Sequence, residues 1–287
     1  MSREICPVCN SNLKKGLQQW HQSCTACDYE KAMFKPAINL HAEHHRVDEI
    51  GRESGLKQLR MNNFKVLHQE IIRLKGAGGK LLDVGCAHGW FLDIVKNDFE
   101  VTGLEPDKAI YDLAAKLGLP VRNGFFPDIL TADEKFDVII FNDVIEHIPD
   151  INATLDHCRN RLNNGGLLVL NLPSNQGIFY KISKLLCRLG LCSYFDRMWQ
   201  KGLPSPHLHY FNQSSLLTIL NKHKFSTVGS GTLPSLQASG LYTRITHTGS
   251  HNLVSRLSLY ALVSLSLPFL SLLPKDIVYV AAIKESA

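Results

Sequence analysis

The chain has 287 residues, of which 45% are hydrophobic and 20% are charged, and its formal net charge is +5. These proportions are typical of a folded globular protein, and they exclude both a disordered chain and a protein with many membrane spans. The positive charges are scattered and form no Lys/Arg block, so nucleic acid is a permitted partner but is not indicated.

Four of the eight cysteines form two Cys-x-x-Cys pairs near the N-terminus. The first ten residues lack the basic stretch and apolar run of a signal peptide, so we expect a cytoplasmic protein with cysteines as thiols or metal ligands. A redox role would need a thioredoxin-like βαβ pattern, which is absent here. The spacing of the two pairs is that of a zinc ribbon, and so short a segment needs a metal to fold. Residues 1–40 are therefore interpreted as a zinc-ribbon-like module with a structural Zn²⁺, held by Cys6, Cys9, Cys24 and Cys27.

Residues 41–75 connect this module to the rest of the chain. His41, His44 and His45 could belong to a second metal site, but a solvated linker is favoured because their spacing matches no defined ligand geometry. Apolar residues at helical spacing from Leu56 to Leu74 predict a connecting helix that ends at the glycines of residues 76–79.

A strand, a glycine-containing loop and a helix follow in residues 81–95. Glycines in such a loop allow a ligand to approach the backbone closely, and the helix N-terminus presents free N–H groups. A second strand, residues 100–104, precedes Glu105, whose carboxylate can accept hydrogen bonds from both hydroxyls of a ribose. An NAD-binding fold has the same elements, but its pyrophosphate needs Gly-x-Gly-x-x-Gly, whereas this loop reads Asp83-x-Gly85-x-Ala87-x-Gly89.

That loop resembles the first motif of class I S-adenosylmethionine-dependent methyltransferases, Asp-x-Gly-x-Gly-x-Gly, with Ala87 in place of the middle glycine. The acidic residue after the second strand, Glu105, fits the same family. The string in residues 136–149 resembles its fourth strand and following loop, and residues 162–172 resemble its turn and fifth strand. The resemblance implies an α/β, Rossmann-like, seven-stranded methyltransferase sheet with helices on both faces, over residues 76–287.

The resemblance also implies the site that binds S-adenosylmethionine. Asp83, Gly85, Cys86 and Gly89 are expected near the methionine part, and Glu105 on the ribose. Phe125 or Phe126 is expected to flank the adenine. Asn142 and Asp143 complete the expected cofactor-binding set. For Asp83 the structural alternative is a carboxylate that caps a turn, and for the phenylalanines it is ordinary core packing.

Residues 175–206 depart from the minimal fold, as an insertion that we expect to shape the acceptor side. The following His207-Leu-His209-Tyr-Phe segment resembles methyltransferases related to ubiquinone-pathway O-methyltransferases and to enzymes of polysaccharide clusters. Transfer to a hydroxyl requires a base, which histidine can provide at neutral pH. The candidates are His147 and His209, with His207 as a third, and Glu146 as an orienting carboxylate or a Mg²⁺ ligand. Each histidine can instead be structural.

The apolar stretch within residues 251–273 approaches the length of a membrane span. Residues 275–283 read as the last strand of the sheet, which could not pair if the stretch crossed a bilayer. Burial over the acceptor site is favoured, and peripheral membrane contact is the alternative.

The leading functional hypothesis is O-methylation of a small molecule, a sugar of a polysaccharide or a lipid-linked acceptor. RNA methylation ranks second, because some RNA methyltransferases also carry an N-terminal zinc ribbon. A non-catalytic binding or scaffold protein on the same fold ranks third.

Overall fold

The computed structural model describes residues 4–38, 46–247 and 253–285. His41, His44 and His45 lie outside these residues. In chain order the elements are β1 (Lys14–Lys15), β2 (His21–Ser23), β3 (Glu30–Ala32), α1 (Arg46–Lys75), β4 (Lys80–Val84), α2 (Trp90–Val95), β5 (Glu100–Glu105), α3 (Lys108–Lys116), β6 (Val121–Asn123), β7 (Phe136–Asn142), α4 (Ile151–Arg161), β8 (Leu162–Pro173), α5 (Ile178–Arg188), α6 (Ser193–Met198), β9 (His209–Tyr210), α7 (Gln213–Lys222), β10 (Phe225–Leu233), α8 (Leu241–His247), α9 (Leu253–Ser271) and β11 (Ile277–Lys284).

A seven-stranded sheet forms the centre of the molecule, in the order β10-β11-β8-β7-β4-β5-β6. Strands β4 to β8 pair in parallel, whereas β11 is antiparallel to both β8 and β10. The Rossmann-like seven-stranded fold expected from the sequence is therefore confirmed.

Strand β7 shows why this sheet must be covered on both faces. Its side chains alternate, and Ile139 and Phe141 pack in one apolar core while Val138 and Ile140 pack in another. All four are fully buried. Such continuous apolar runs are typical of parallel strands with helices on both sides. Helices α4 and α7 cover the first face, and α1 and α2 cover the second.

A second, four-stranded sheet has the order β1-β2-β3-β9. Its first three strands come from the N-terminal module, but β9 follows the insertion about 180 residues later, with Glu30 opposite Tyr210 and Lys31 opposite His209. The module predicted as a separate unit therefore shares a backbone ladder with the domain that contains the seven-stranded sheet.

The insertion, residues 175–206, contains α5 and α6. Its aromatic residues Tyr180, Phe195 and Trp199 are fully buried, where they pack against Trp20 and Phe34 of the N-terminal module. These rings form a joint between the insertion and the four-stranded sheet. The expectation that the insertion shapes the acceptor side stays a prediction.

Helix α9 corrects a second expectation. None of its residues is buried, although burial was the favoured interpretation of this apolar stretch. The helix is connected to the body through α8, where Tyr242 contacts Tyr260 edge-to-face.

Glu30 is the polar centre of the joint and is only 4% exposed. Its carboxylate pairs with His21 Nε2 at 2.7 Å and accepts hydrogen bonds from Tyr180 Oη at 2.7 Å and Lys184 Nζ at 2.8 Å. Burial raises the pKa of Glu30, but the hydrogen bond with His21 and the charge of Lys184 outweigh it and hold this pKa below its usual value.

We expect Glu30→Ala to lower the free energy of unfolding by about 3–5 kcal/mol, because it leaves a half-buried lysine, a buried histidine and a buried tyrosine hydroxyl without their acceptor. The loss should be largest above the usual glutamate pKa of 4.5 and shrink as the pH falls through the lower folded-state pKa. Glu4→Ala is the matched control, since it breaks an exposed ion pair with Lys31 and should change stability by less than about 1 kcal/mol. Equal effects of the two substitutions in denaturant titrations would contradict this interpretation.

Candidate active site

A cavity of about 730 Å³ opens at the carboxyl ends of β4, β5 and β7. This is the position at which parallel α/β sheets bind ligands. Its walls come from the loop after β4, the ends of β5 and β7, the turn after β6, helix α1 and two short segments near the joint. The lining residues are 36–38, Arg60, Phe64, 83–88, Trp90, Phe91, 104–108, Ile110, 124–126, 142–144, 147–149, Pro204 and Ser205.

The loop after β4 turns through three residues with positive φ: Gly85 (71°), Ala87 (45°) and Gly89 (72°). A Cβ at Gly85 would lie 2.5 Å from Val144 Cγ2, so glycine is required there on two counts. Ala87 adopts the left-handed conformation despite its side chain, which costs about 1–2 kcal/mol. The Ala87 N–H donates to Glu105 Oε2 at 2.9 Å, and this bond helps to hold the loop.

Glu105 ends β5 with its carboxylate fixed at the cavity. Besides Ala87, the Asp107 N–H donates to Glu105 Oε1 at 2.8 Å. A carboxylate can accept several hydrogen bonds at once, so Glu105 is suited to binding two neighbouring hydroxyls. Asp107 itself caps α3, with its side chain accepting from Ala109 and Ile110.

Asp83 lies at the floor of the cavity, with Asn142 Nδ2 at 3.4 Å from Asp83 Oδ1. Burial, reinforced by the charge of Glu105, raises the pKa of Asp83 to about 8, and the hydrogen bond from Asn142 only partly opposes this shift. A positively charged ligand group beside this carboxyl would lower its pKa and favour the ionised form.

Of the other predicted cofactor residues, Cys86, Phe125 and Asp143 also line the cavity, whereas Gly89 does not. Phe125 is 51% exposed and free to meet a flat ring, whereas its neighbour Phe126 packs edge-to-face on Phe141. Cys86 points away from the opening, toward Gly103. Asp143 lies 3.8 Å from Arg60 Nε.

Of the two favoured histidines, only His147 lines the cavity. Its Nδ1 lies 2.9 Å from the carbonyl oxygen of Pro206. A carbonyl can only accept, so Nδ1 carries the hydrogen of the neutral ring and Nε2 carries the lone pair.

Glu146 is fully buried behind His147, and neither of its carboxylate oxygens has a hydrogen-bond partner among the described residues. Its Oε1 lies 3.9 Å from His147 Nε2 and 4.0 Å from His207 Nε2. Burial and the charge of Asp143 raise the pKa of Glu146 well above its usual value. These three side chains offer ligand atoms within 4.8 Å of one another.

His209 lies away from the cavity and is only 2% exposed. Its Nε2 donates to the carbonyl oxygen of Ile148 at 2.8 Å, and its Nδ1 accepts from Tyr29 Oη. Burial lowers the pKa of His209 to about 4. A ring with both nitrogens engaged is suited to joining β9, β3 and the His147 loop, and its position does not bring it to an acceptor.

Several cavity residues were not foreseen from the sequence. Arg60 and Phe64 are four residues apart on α1, and an arginine within the apolar stripe of that helix was the available signal. Residues 36–38 carry no sequence signal, because they reach the cavity only through the pairing of β3 with β9. Pro204 and Ser205 belong to the insertion that the sequence analysis expects on the acceptor side.

The four N-terminal cysteines converge at the far side of the joint. Their sulfur atoms lie within 4.8 Å of one another, with Cys6–Cys27 at 3.6 Å and Cys9–Cys24 at 3.4 Å. A tetrahedral Zn²⁺ with Zn–S bonds of 2.3 Å separates its sulfurs by about 3.8 Å.

The two Cys-x-x-Cys turns also match each other. The residue after each pair, Asn10 or Asp28, has positive φ, and its N–H donates at 3.0 Å to the carbonyl of the first cysteine. The donor set therefore fits a closed, structural zinc site, which would shape the module without taking part in the reaction.

The model of a methyltransferase-domain family matches residues 58–229, more than half of the chain. The chain belongs to this family. It is a class I S-adenosylmethionine-dependent methyltransferase, as the glycine-containing loop after β4 and the acidic Glu105 had indicated.

Relatives and solved structures agree with this assignment. The chain is 38% identical over 98 residues to a ubiquinone biosynthesis O-methyltransferase of Paramagnetospirillum magneticum, a match that covers 32% of the chain and 39% of that relative. A possible histamine N-methyltransferase of Thermotoga maritima has the same fold, with a TM-score of 0.55 and 15% sequence identity. The match covers 84% of this chain and 97% of that chain. The magnesium protoporphyrin IX methyltransferase of Synechocystis was solved with bound S-adenosylhomocysteine. Its TM-score is 0.51 and its sequence identity 12%, and the match covers 85% of this chain and 89% of that chain.

If Zn²⁺ occupies the cysteine site, elemental analysis of purified protein should find about one zinc per chain. Cys24→Ser should then lower the free energy of unfolding by about 3 kcal/mol or more and weaken S-adenosylmethionine binding, because the metal supports the joint that holds residues 36–38. A strong chelator should reproduce both losses in the native protein and have no further effect on Cys24→Ser. Unfolding that leaves cofactor affinity intact would contradict the coupling of module and cavity.

Asp83→Asn should stabilise the cofactor-free protein while weakening cofactor binding. From about pH 4 to pH 8 the folded protein retains a proton on Asp83 that the unfolded chain releases, so the stability of the native protein falls across this range. The thermal advantage of the variant should therefore grow from pH 4 to pH 8, while its affinity for S-adenosylmethionine falls about tenfold or more.

Asp93→Asn, on the exposed side of α2, is the control for the Asp83 experiment and should change neither quantity appreciably. A constant difference in unfolding temperature between Asp83→Asn and the native protein at all pH values would disprove the proposed titration.

Proposed function

We propose that the chain transfers the methyl group of S-adenosylmethionine to a hydroxyl oxygen of a small, largely apolar acceptor, with His147 as the general base. One observation carries this proposal. The imidazole of His147 lines the same cavity as Asp83 and Glu105, with its Nδ1 hydrogen held by Pro206 and its Nε2 able to take a proton.

The charged groups of the cavity are suited to binding S-adenosylmethionine in one orientation. Glu105 would accept both ribose hydroxyls, and Phe125 would stack on the adenine. The ammonium group of the methionine part would lie toward Asp83 and Asn142, where an incoming positive charge converts Asp83 to its ionised form. The sulfonium would then lie between these cofactor-binding residues and the side of the cavity that contains His147.

Methyl transfer is a direct displacement. The acceptor oxygen attacks the methyl carbon as the carbon–sulfur bond breaks, and the hydroxyl proton passes to His147 Nε2. The products are a methyl ether and S-adenosylhomocysteine. Glu146 Oε1 lies 3.9 Å from His147 Nε2, so a positive charge on His147 would lower the raised pKa of Glu146, and Glu146 in its ionised form would stabilise the imidazolium.

The wall around His147 favours an apolar acceptor, such as a phenol with an alkyl substituent. The apolar lining residues 36–38, Phe64, Ile148 and Pro149 outnumber the polar Arg60, Asp143 and Ser205, of which Arg60 and Asp143 face each other at 3.8 Å. The similarity to ubiquinone biosynthesis O-methyltransferases supports the same class, although it spans about two fifths of those relatives.

The cluster of Glu146, His147 and His207 supports a second possibility for the same reaction. Two imidazoles and a carboxylate are a common ligand set for a divalent cation. A cation bound there would lower the pKa of the acceptor hydroxyl in place of a base. Dependence of turnover on an added divalent metal would favour this arrangement over His147 as the base.

The proposed function is tested by incubating the protein with methyl-labelled S-adenosylmethionine and separate fractions of lipid extract, phenolic compounds, polysaccharide and RNA. We expect label in base-stable methyl ethers of the lipid or phenolic fraction. Label in RNA or in polysaccharide would contradict the proposed acceptor class.

His147→Gln should lower kcat by about 10²- to 10⁴-fold, because glutamine retains a hydrogen-bonding side chain but cannot accept the proton. The Kd for S-adenosylmethionine should change little. His223→Gln is the matched control, as His223 is also buried but pairs with Asp156 and Asn152 away from the cavity. If both substitutions lower kcat to the same degree, His147 has no special role in proton transfer.

A further inference from the structure

Helix α9 exposes an unusual amount of apolar surface. It is the one helix among the described residues that is long and apolar enough to cross a membrane, and none of its residues is buried. Leu262, Leu265 and Phe269 are 67%, 76% and 74% exposed. Apolar side chains occur on every side of the helix, so packing against a single protein face would leave many of them in water.

The sheet excludes a transmembrane path for this helix. The chain leaves the sheet at Leu233 and returns at Ile277, and these two residues are directly paired in the β10–β11 ladder. A helix of 19 residues is about 28 Å long, and a single crossing would leave β11 on the far side of the bilayer from its partner strands. Helix α9 can therefore only lie along a membrane surface or dip into it.

The charge of the segment favours an anionic surface. No Asp or Glu occurs between Asp196 and Asp276. Within the excursion from β10 to β11 the charged residues are Arg244, Arg256, Lys275 and Asp276. Asp276 is buried just before β11, where its carboxylate accepts from the N–H groups at the start of α5, so the charges in and around α8 and α9 themselves are positive. Basic residues beside an apolar helix attract anionic headgroups while the apolar side chains enter the acyl region.

Helix α8 links this surface to the active site. The residues just before α8 contact α1. Asn62 Nδ2 of α1 donates to Gln237 Oε1 at 2.8 Å, and Gly240 lies close to Gln58 of α1. The same turns of α1 place Arg60 and Phe64 in the cavity wall. A surface held by α9 is thus joined to the cavity through α8 and α1.

We propose that α9 docks the enzyme on an anionic lipid bilayer, lying within the boundary between headgroups and acyl chains without crossing it. Its role in delivering apolar acceptors from the bilayer to the cavity rests on the proposed function, whereas the docking itself does not.

The test is flotation of the full chain with vesicles of phosphatidylcholine alone or mixed with phosphatidylglycerol, without cofactor or acceptor. We expect binding to the mixed vesicles and about tenfold weaker binding to the neutral ones. Leu262→Glu with Leu265→Glu should lower binding to the mixed vesicles about tenfold or more. The control is the double variant Leu113→Glu with Leu117→Glu. Both leucines are also exposed, on α3 and just after it, and this variant should bind the vesicles like the native protein.

Calorimetry with S-adenosylhomocysteine should give the same affinity for both double variants, which shows that they are folded. No binding of the native protein to either vesicle, or equal losses in the two pairs, would overturn the proposal. A dimer in sedimentation experiments that only the α9 pair disrupts would also overturn it, because a second copy would then cover the helix. If the protein binds the mixed vesicles but methylates no apolar acceptor, the docking proposal stands and the proposed function is wrong.

Discussion

The antiparallel pairing of β3 with β9 is the constraint on which the active site depends. It joins a strand of the cysteine-containing module to a strand that follows the insertion. The buried Glu30 network and the aromatic cluster around Trp199 fill the space on one side of this ladder. Without the pairing, the module would be a separate domain and the cavity would lack the wall formed by residues 36–38.

The same ladder sets the position of His147. His209 in β9 bonds to Tyr29 of the module and to the carbonyl of Ile148, next to the histidine of the cavity. Leu208 N–H donates to the carbonyl of Glu146 at 2.8 Å, and Pro206 accepts from His147. A metal that fixes the module would thus influence His147 indirectly, through these hydrogen bonds and without direct contact.

The cofactor half of the site could be predicted from the sequence because its signals are local. Asp83 and Glu105 each end a buried apolar strand, and carboxyl ends of parallel strands meet at one edge of a sheet. The joint could not be predicted, since β9 has two residues and no strand pattern of its own. Its partner strand is distant in sequence, and the buried aromatic residues of the insertion look the same whether they line a pocket or fill a core. The exposure of α9 was also hidden, because an apolar helix has the same sequence in a protein core and at a membrane.

The most direct test is a crystal structure of the 287-residue chain with S-adenosylhomocysteine. We expect the ribose hydroxyls to bond to Glu105 and the ammonium group to lie toward Asp83. The sulfur should face His147 across a space covered by residues 36–38. A ribose bound elsewhere, or a sulfur that faces open solvent away from the N-terminal module, would contradict the claim that the joint completes the active site.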